Sequence, residues 1–180
     1  MTLFEVMIAA ALSGTVITIA VSLWLFTSRN FAAMVNYTDL DAKSRNAVDQ
    51  MSRSIREATQ LTDFQMSGNS KWFTVTNTTL GTGATYIWRA SSRTLACKRS
   101  GEAEQVYLTE CDRWDFIPYQ RSPQNNGNYA FVPATNTVGA YDASICKLIN
   151  MTWKCSRTIL RAPQNTESVQ TAQVVLRNKQ

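Results

Sequence analysis

Residues 1–28, MTLFEVMIAAALSGTVITIAVSLWLFTS, limit what this chain can become more than any other stretch, because they are strongly apolar and carry a single charge, Glu5. From Val6 to Ser28 there is no charged residue. At about 1.5 Å per residue that run makes a helix of roughly 34 Å, enough to cross a bilayer core. A cleavable signal peptide places Lys or Arg before a shorter apolar core. Here the first basic residue is Arg29, on the far side of the run, so the segment is expected to stay on the protein. A plain membrane anchor gives no reason for Glu5, since an ionised carboxylate in hydrocarbon costs on the order of 3 kcal/mol. Either Glu5 lies solvated at headgroup level, or it needs a cation from outside its own helix.

No Lys or Arg lies near Glu5 in the chain, and His is absent altogether. The available cations are a neighbouring molecule's side chain or an α-amino group, which with a pKa of about 8 is mostly protonated at neutral pH. If identical helices stack with an axial stagger, the amine of Met1 in one subunit meets Glu5 of another. The buried charge is then paired only after assembly, which favours a homo-oligomer over the lone membrane subunit. Gly14 sits mid-span beside Ser13, Thr15 and Thr18 and costs about 1 kcal/mol in a helix relative to Ala. It marks either a flexible point or a close helix contact.

Beyond Arg29 nothing stops the helix. No Pro or Gly occurs between Arg29 and Gln65, and Leu40, Ala47, Val48, Met51, Ile55, Ala58 and Leu61 recur at three- and four-residue spacing. Residues 29–62 therefore read as an amphipathic continuation of the first segment, giving one rod of roughly 90 Å. After Leu61 the texture changes. Residues 71–77 (KWFTVTN), 84–89 (ATYIWR), 94–99 (TLACKR), 105–108 (QVYL), 114–119 (WDFIPY) and 168–177 (SVQTAQVVLR) read as strands, with turns at 81–83 (GTG) and 90–93 (ASSR). Residues 122–137 hold two Pro, one Gly and four Asn and read as a long surface loop. The expected class is α+β: one long N-terminal helix whose second half packs on an antiparallel sheet, with residues 63–180 forming a single β-rich head.

The four cysteines, Cys97, Cys111, Cys146 and Cys155, all follow the apolar segment and permit three pairings. Cys97–Cys111 with Cys146–Cys155 is the expected set, because each pair closes a short loop between neighbouring strands. Disulfides place the head outside an inner membrane. Zinc and covalent haem are disfavoured by the absence of His and of Cys-x-x-Cys spacing, and a thiol enzyme lacks its usual His base. There is no Gly-rich phosphate loop, and Asp112 and Asp115, either side of Trp114, read as a solvated strand face. The expectation is a chain with no catalytic role, no metal and no cofactor. The sequons at Asn36, Asn77 and Asn150 carry little weight by themselves.

Lys and Arg number 18 against 13 Asp and Glu, for a net charge of +5. Because Glu5 is the one charge in the apolar segment, the remainder is one unit more positive. Arg89, Arg93, Lys98 and Arg99 on one hairpin, with Lys147, Lys154, Arg157 and Arg161, are candidates for a basic surface. Repeated along a fibre, such a surface would attract weak polyanion or DNA contact; scattered solubilising charge accounts for the same count.

Thr2-Leu3-Phe4-Glu5-Val6 followed by an apolar helix resembles the mature N-terminus of bacterial type IV pilins and type II secretion pseudopilins. That pattern is an N-methylated first residue, Thr-Leu-hydrophobic-Glu, then about twenty apolar residues, a bilayer's length. The resemblance implies a pilin-like fold, a leader cut by a prepilin peptidase just before Met1, and methylation of the new amine. It also implies pairing of Glu5 with a neighbour's N-terminus, and partners in the inner membrane and the pilus assembly machinery. The family usually begins with Phe, where this chain has Met1. In some of its pili the helix unwinds between a Gly and a Pro eight residues on; Gly14 matches the first, and Ser22 stands at the second and keeps its amide. A helix ending in MSRSIRE (51–57), a Tyr-containing hairpin, QVYL, an aromatic strand ending in Pro-Tyr and a terminal VVLRN (174–178) are similar to minor pilins and J-type pseudopilins.

The function implied is a structural subunit of a type IV pilus, with helices bundled as the core and heads outside, serving adhesion, motility or DNA uptake. The alternative is a minor pilin or a pseudopilin of a piston-like secretion filament. Glu5 speaks against the tip position, where family members tend to lack this residue. A single-span anchored periplasmic domain that does not polymerise is the third possibility. The resemblance places the chain in the inner membrane before assembly, and in an extracellular fibre or periplasmic pseudopilus after it.

Overall fold

The computed structural model describes residues 2–124, 127–158 and 167–177. Helix α1 (Leu3–Glu57) runs unbroken for 55 residues, about 82 Å at helical rise. It ends earlier than its apolar periodicity suggests. Ala58 and Leu61 continue the spacing, but Ala58 is already extended (φ −72°, ψ 148°). The first sheet captures the chain there: the Thr59 amide donates to Thr76 O at 3.0 Å, and Asn77 Nδ2 caps Glu57 O at 2.8 Å.

Two antiparallel sheets follow where the sequence suggested one. The first is a meander of β1 (Gln60–Gln65), β2 (Ser70–Asn77), β3 (Thr82–Arg89), β4 (Thr94–Arg99) and β5 (Gln105–Leu108), each paired with the next. The second contains β6 (Cys111–Pro123), β7 (Tyr129–Pro133), β8 (Leu148–Ser156) and β9 (Glu167–Val175), in the order β7-β6-β8-β9. Strand β7 lies within the segment read as a long loop. Strand β8, absent from the sequence reading, is central, pairing with β6 on one side and β9 on the other.

The second half of α1 meets both sheets, packing against β5 and β9. Leu40, Ser44, Ala47, Met51 and Ile55, spaced three or four apart, form its buried stripe. Opposite them the two sheets share an aromatic centre. Phe73 on β2 lies 5.1 Å from Tyr86 of β3, and 5.4 and 5.0 Å from Trp114 and Phe116 of β6, measured between ring centroids. A Lys71–Asp115 ion pair joins β2 to β6 beside this cluster. Burial alone would raise the Asp115 carboxyl, but hydrogen bonds from Lys71 and Arg113 outweigh it and hold the group below its ordinary value of 3.8.

Candidate functional site

The first half of α1 lies exposed. Its large apolar side chains from Leu3 to Val35 are open to solvent, with Leu3 at 82% and Trp24 at 69%, and it contains a window of mean hydropathy 2.2. This single N-terminal helix is long and apolar enough to span a membrane. Its polar residues are already suited to an apolar medium. The hydroxyls of Ser13, Thr15, Thr18 and Ser22 each donate to a carbonyl three or four residues back, at 2.6–2.8 Å. Gly14 is helical here, its carbonyl accepting the Thr18 hydroxyl, and no atom lies close to where a Cβ would stand. The helix therefore runs through Gly14 without unwinding in this structure.

Glu5 has a second role that its charge alone did not suggest. The Thr2 amide donates to Glu5 Oε2 at 2.8 Å, and the Glu5 amide donates to Thr2 Oγ1 at 3.4 Å, a reciprocal capping box that satisfies two orphan donors of the helix N-terminus. The signal was present in the sequence as Thr2-x-x-Glu5 before an apolar run. Glu5 Oε1 has no partner among the described residues, so the carboxylate can still accept from outside its own helix. Met1, whose amine is the expected partner across a subunit boundary, lies outside the described residues.

Where the free half-helix leaves the head, it is held by Arg157, just past β8. Its guanidinium donates to Asn36 Oδ1 and Asp39 Oδ2, each at 3.0 Å, and to Glu110 Oε2 at 2.6 Å. Gln170 on β9 adds a hydrogen bond to Asp41 at 2.8 Å. Glu110, just before β6, holds φ at 62°, a conformation uncommon for a residue with a side chain. Hydrogen bonds from Lys43 and then Arg157 hold the Asp39 carboxyl below its ordinary 3.8. Hydrogen bonds to charged groups contribute about 1.5–3 kcal/mol. Side-chain exposures of 23% for Arg157, 32% for Glu110 and 41% for Asp39 reduce that through solvent screening. Arg157→Ala is expected to destabilise the head by about 1–2 kcal/mol, lowering the melting temperature by about 3–6 °C in a circular dichroism melt. The Asp39 contribution is present above the unfolded carboxyl value and is lost as pH falls through the depressed folded one. The difference between wild type and Arg157→Ala should hold from neutral pH to about 5 and narrow below about 4. An unchanged melting temperature in the variant contradicts the clamp.

The candidate basic residues do not gather into one patch. Arg89, Arg93, Lys98 and Arg99 lie in or beside the β3–β4 hairpin of the first sheet, whereas Lys147 and Lys154 flank or occupy β8 of the second, about 23 Å apart along it. Most are matched locally with carboxylates. Arg89 donates twice to Glu104, at 2.5 and 2.7 Å; Arg93 donates to Asp112 at 2.7 Å; Arg99 faces Glu102 at 3.8 Å; Lys154 meets Glu167 at 2.7 Å. Arg161 lies outside the described residues. Asp112 and Asp115 are likewise engaged, the first with Arg93 and Ser156 and the second with Lys71 and Arg113.

The expected disulfides are corrected by strand geometry: neither Cys97 and Cys111 nor Cys146 and Cys155 lie side by side. The Cys111 amide donates to Arg93 O at 2.7 Å, so Cys97, four residues further along β4, is displaced by about 13 Å, whereas a disulfide needs Cα atoms within about 7 Å. Cys146 lies beyond the end of β8 that pairs with Tyr119, while Cys155 faces Cys111 at the other end, about 23 Å along the strand. Burial pushes the Cys97 thiol up, beside the Tyr107 and Tyr86 hydroxyls.

Comparison of the chain with protein-family models, with curated proteins and with solved structures finds no match. The class is carried by architecture alone. A long apolar N-terminal helix followed by antiparallel sheets is compatible with a pilin-like arrangement.

Proposed function

We propose that this chain is a structural subunit of a bacterial filament of the type IV pilus class, its exposed half-helices bundled as the core and its sheet-bearing heads outside. The observation that supports this reading is the continuity of α1: the half that exposes apolar side chains from Leu3 to Val35 and the half that forms the core of the head are one helix. Apolar surface on that scale requires lipid or other helices around it. A subunit can exchange one for the other without remodelling its head. Glu5 supplies the term that favours exchange, because its charge is paired only when a neighbour's N-terminal amine reaches it. On this reading a prepilin peptidase exposes the Met1 amine, and the chain passes from a single-span membrane form to the fibre. The test is mechanical shearing of cells carrying the full chain, followed by immunoblotting of the sheared fibres and the membranes. The chain is expected in both; confinement to the membrane as a monomer favours a plain anchored domain.

A further inference from the structure

Cys111 opens β6 and Cys155 lies near the end of β8, directly opposite each other in the register of the second sheet. In an antiparallel pair, opposed residues alternate between sites that exchange backbone hydrogen bonds and sites that do not, and side chains are closer at the latter, with Cα atoms about 4.5 Å apart. The hydrogen bonds identify which kind this is. The Ser156 amide donates to Glu110 O at 3.1 Å, outside the cysteine pair. The Cys111 amide is spent on Arg93 O at 2.7 Å, and Cys111 O accepts from Trp88 Nε1 at 2.9 Å. The pair therefore occupies a non-hydrogen-bonded site, whose spacing falls within the range a disulfide spans. Both side chains are buried, and Cys155 lies beside Ser44 on the buried stripe of α1.

We propose that Cys111 and Cys155 form a disulfide that staples β6 to β8 beneath α1. The inference stands apart from the filament reading, since it rests on the head's own geometry. The thiols are not equivalent. Hydrogen bonding from the Cys111 thiol outweighs burial and holds Cys155 below the ordinary thiol range, while the same contact and burial push Cys111 up. Written with Cys155 as the first nucleophile, the exchange runs in two steps. The Cys155 thiolate breaks the S–S bond of an external disulfide of the glutathione class, forming a mixed disulfide and releasing one thiol. Cys111, after losing its proton to solvent, attacks Cys155 Sγ and expels the second thiol. The two protein sulfurs lose two electrons, which reduce the external disulfide, and the two protons end on the released thiols. Because both cysteines are buried, the exchange takes place before α1 docks, and the finished bond is shielded from reductants.

The test refolds the full chain in detergent from the reduced state in a glutathione redox buffer, alkylates remaining thiols, and maps tryptic peptides. Residues 100–113 (SGEAEQVYLTECDR) are expected joined to residues 155–157 (CSR), at a mass about 2 Da below the two reduced peptides together, the joined species being lost on reduction. Cys97→Ser should retain the joined peptide, and Cys155→Ser should leave Cys111 alkylated. Wild-type chain in which Cys111 and Cys155 are both alkylated overturns the proposal. So does Cys111 joined to Cys97, or Cys155 joined to Cys146.

Discussion

Glu5→Gln is expected to leave the chain in the membrane and remove it from the sheared fibre. The substitution separates the two roles of this residue. A Gln side-chain oxygen can still accept the Thr2 amide, so the capping box at the start of α1 survives, whereas the charge that calls for a partner is gone. Leaving a buried N-terminal ammonium without its carboxylate costs about 3–5 kcal/mol. Applied to each subunit addition, about 3 kcal/mol is roughly a hundredfold weaker association, enough to empty the fibre fraction. Glu5→Ala loses the carboxylate half of the capping box as well, leaving the Thr2 amide without its acceptor while Thr2 Oγ1 keeps the amide of residue 5, a penalty that falls on the helix end and not on the subunit contact. The two variants should therefore fail alike in assembly. Normal fibre yield from Glu5→Gln contradicts charge pairing and leaves the cap as the function of Glu5.

Phe73→Ala is expected to be the most damaging single truncation in the head. Phe73 is fully buried and touches Tyr86 in its own sheet and Trp114 and Phe116 in the other, so it is a point where the two sheets hold together. Removing a buried Phe side chain costs about 3–5 kcal/mol in lost transfer energy and cavity formation. At about 2–4 °C per kcal/mol for a domain of this size, the melting temperature should fall by roughly 10 °C. A fall under about 3 °C would show that the sheets are held elsewhere, with the Lys71–Asp115 pair and the α1 stripe as the remaining links.

The apolar segment, the continuation of α1 and the strands at 71–77, 94–99 and 105–108 are legible because each follows one period that its tertiary surroundings also require. The failures lie where tertiary partners decide. Ala58 and Leu61 keep helical spacing, yet the helix stops at Glu57 because Thr59 and Asn77 bond across to β2 and the helix end. In β8 the alternation Ile149, Met151, Trp153 and Cys155 against Asn150, Thr152 and Lys154 is a plain two-residue period. The loop expected between Cys146 and Cys155 spans the same stretch and leaves no room for a strand there. Strand β7 sits among Pro and Asn residues that signal a loop, and it exists because the far end of β6 offers it a partner. Cysteine adjacency follows the same logic: which thiols meet depends on which strands lie side by side, and sequence separation gives no access to that. In the candidate site, Glu5 was legible as an isolated charge, and its capping partner Thr2 was present as a motif. The Arg157 clamp was not, since it joins residues more than a hundred positions apart.

The most direct test of the filament reading is electron cryomicroscopy of fibres sheared from cells that make this chain. Density that follows this sequence, with residues 3–35 bundled at the axis, the sheet-bearing heads outside and Glu5 beside a neighbour's N-terminus, is the result expected. A fibre built from another chain, with this one recovered only as a membrane monomer, would contradict it.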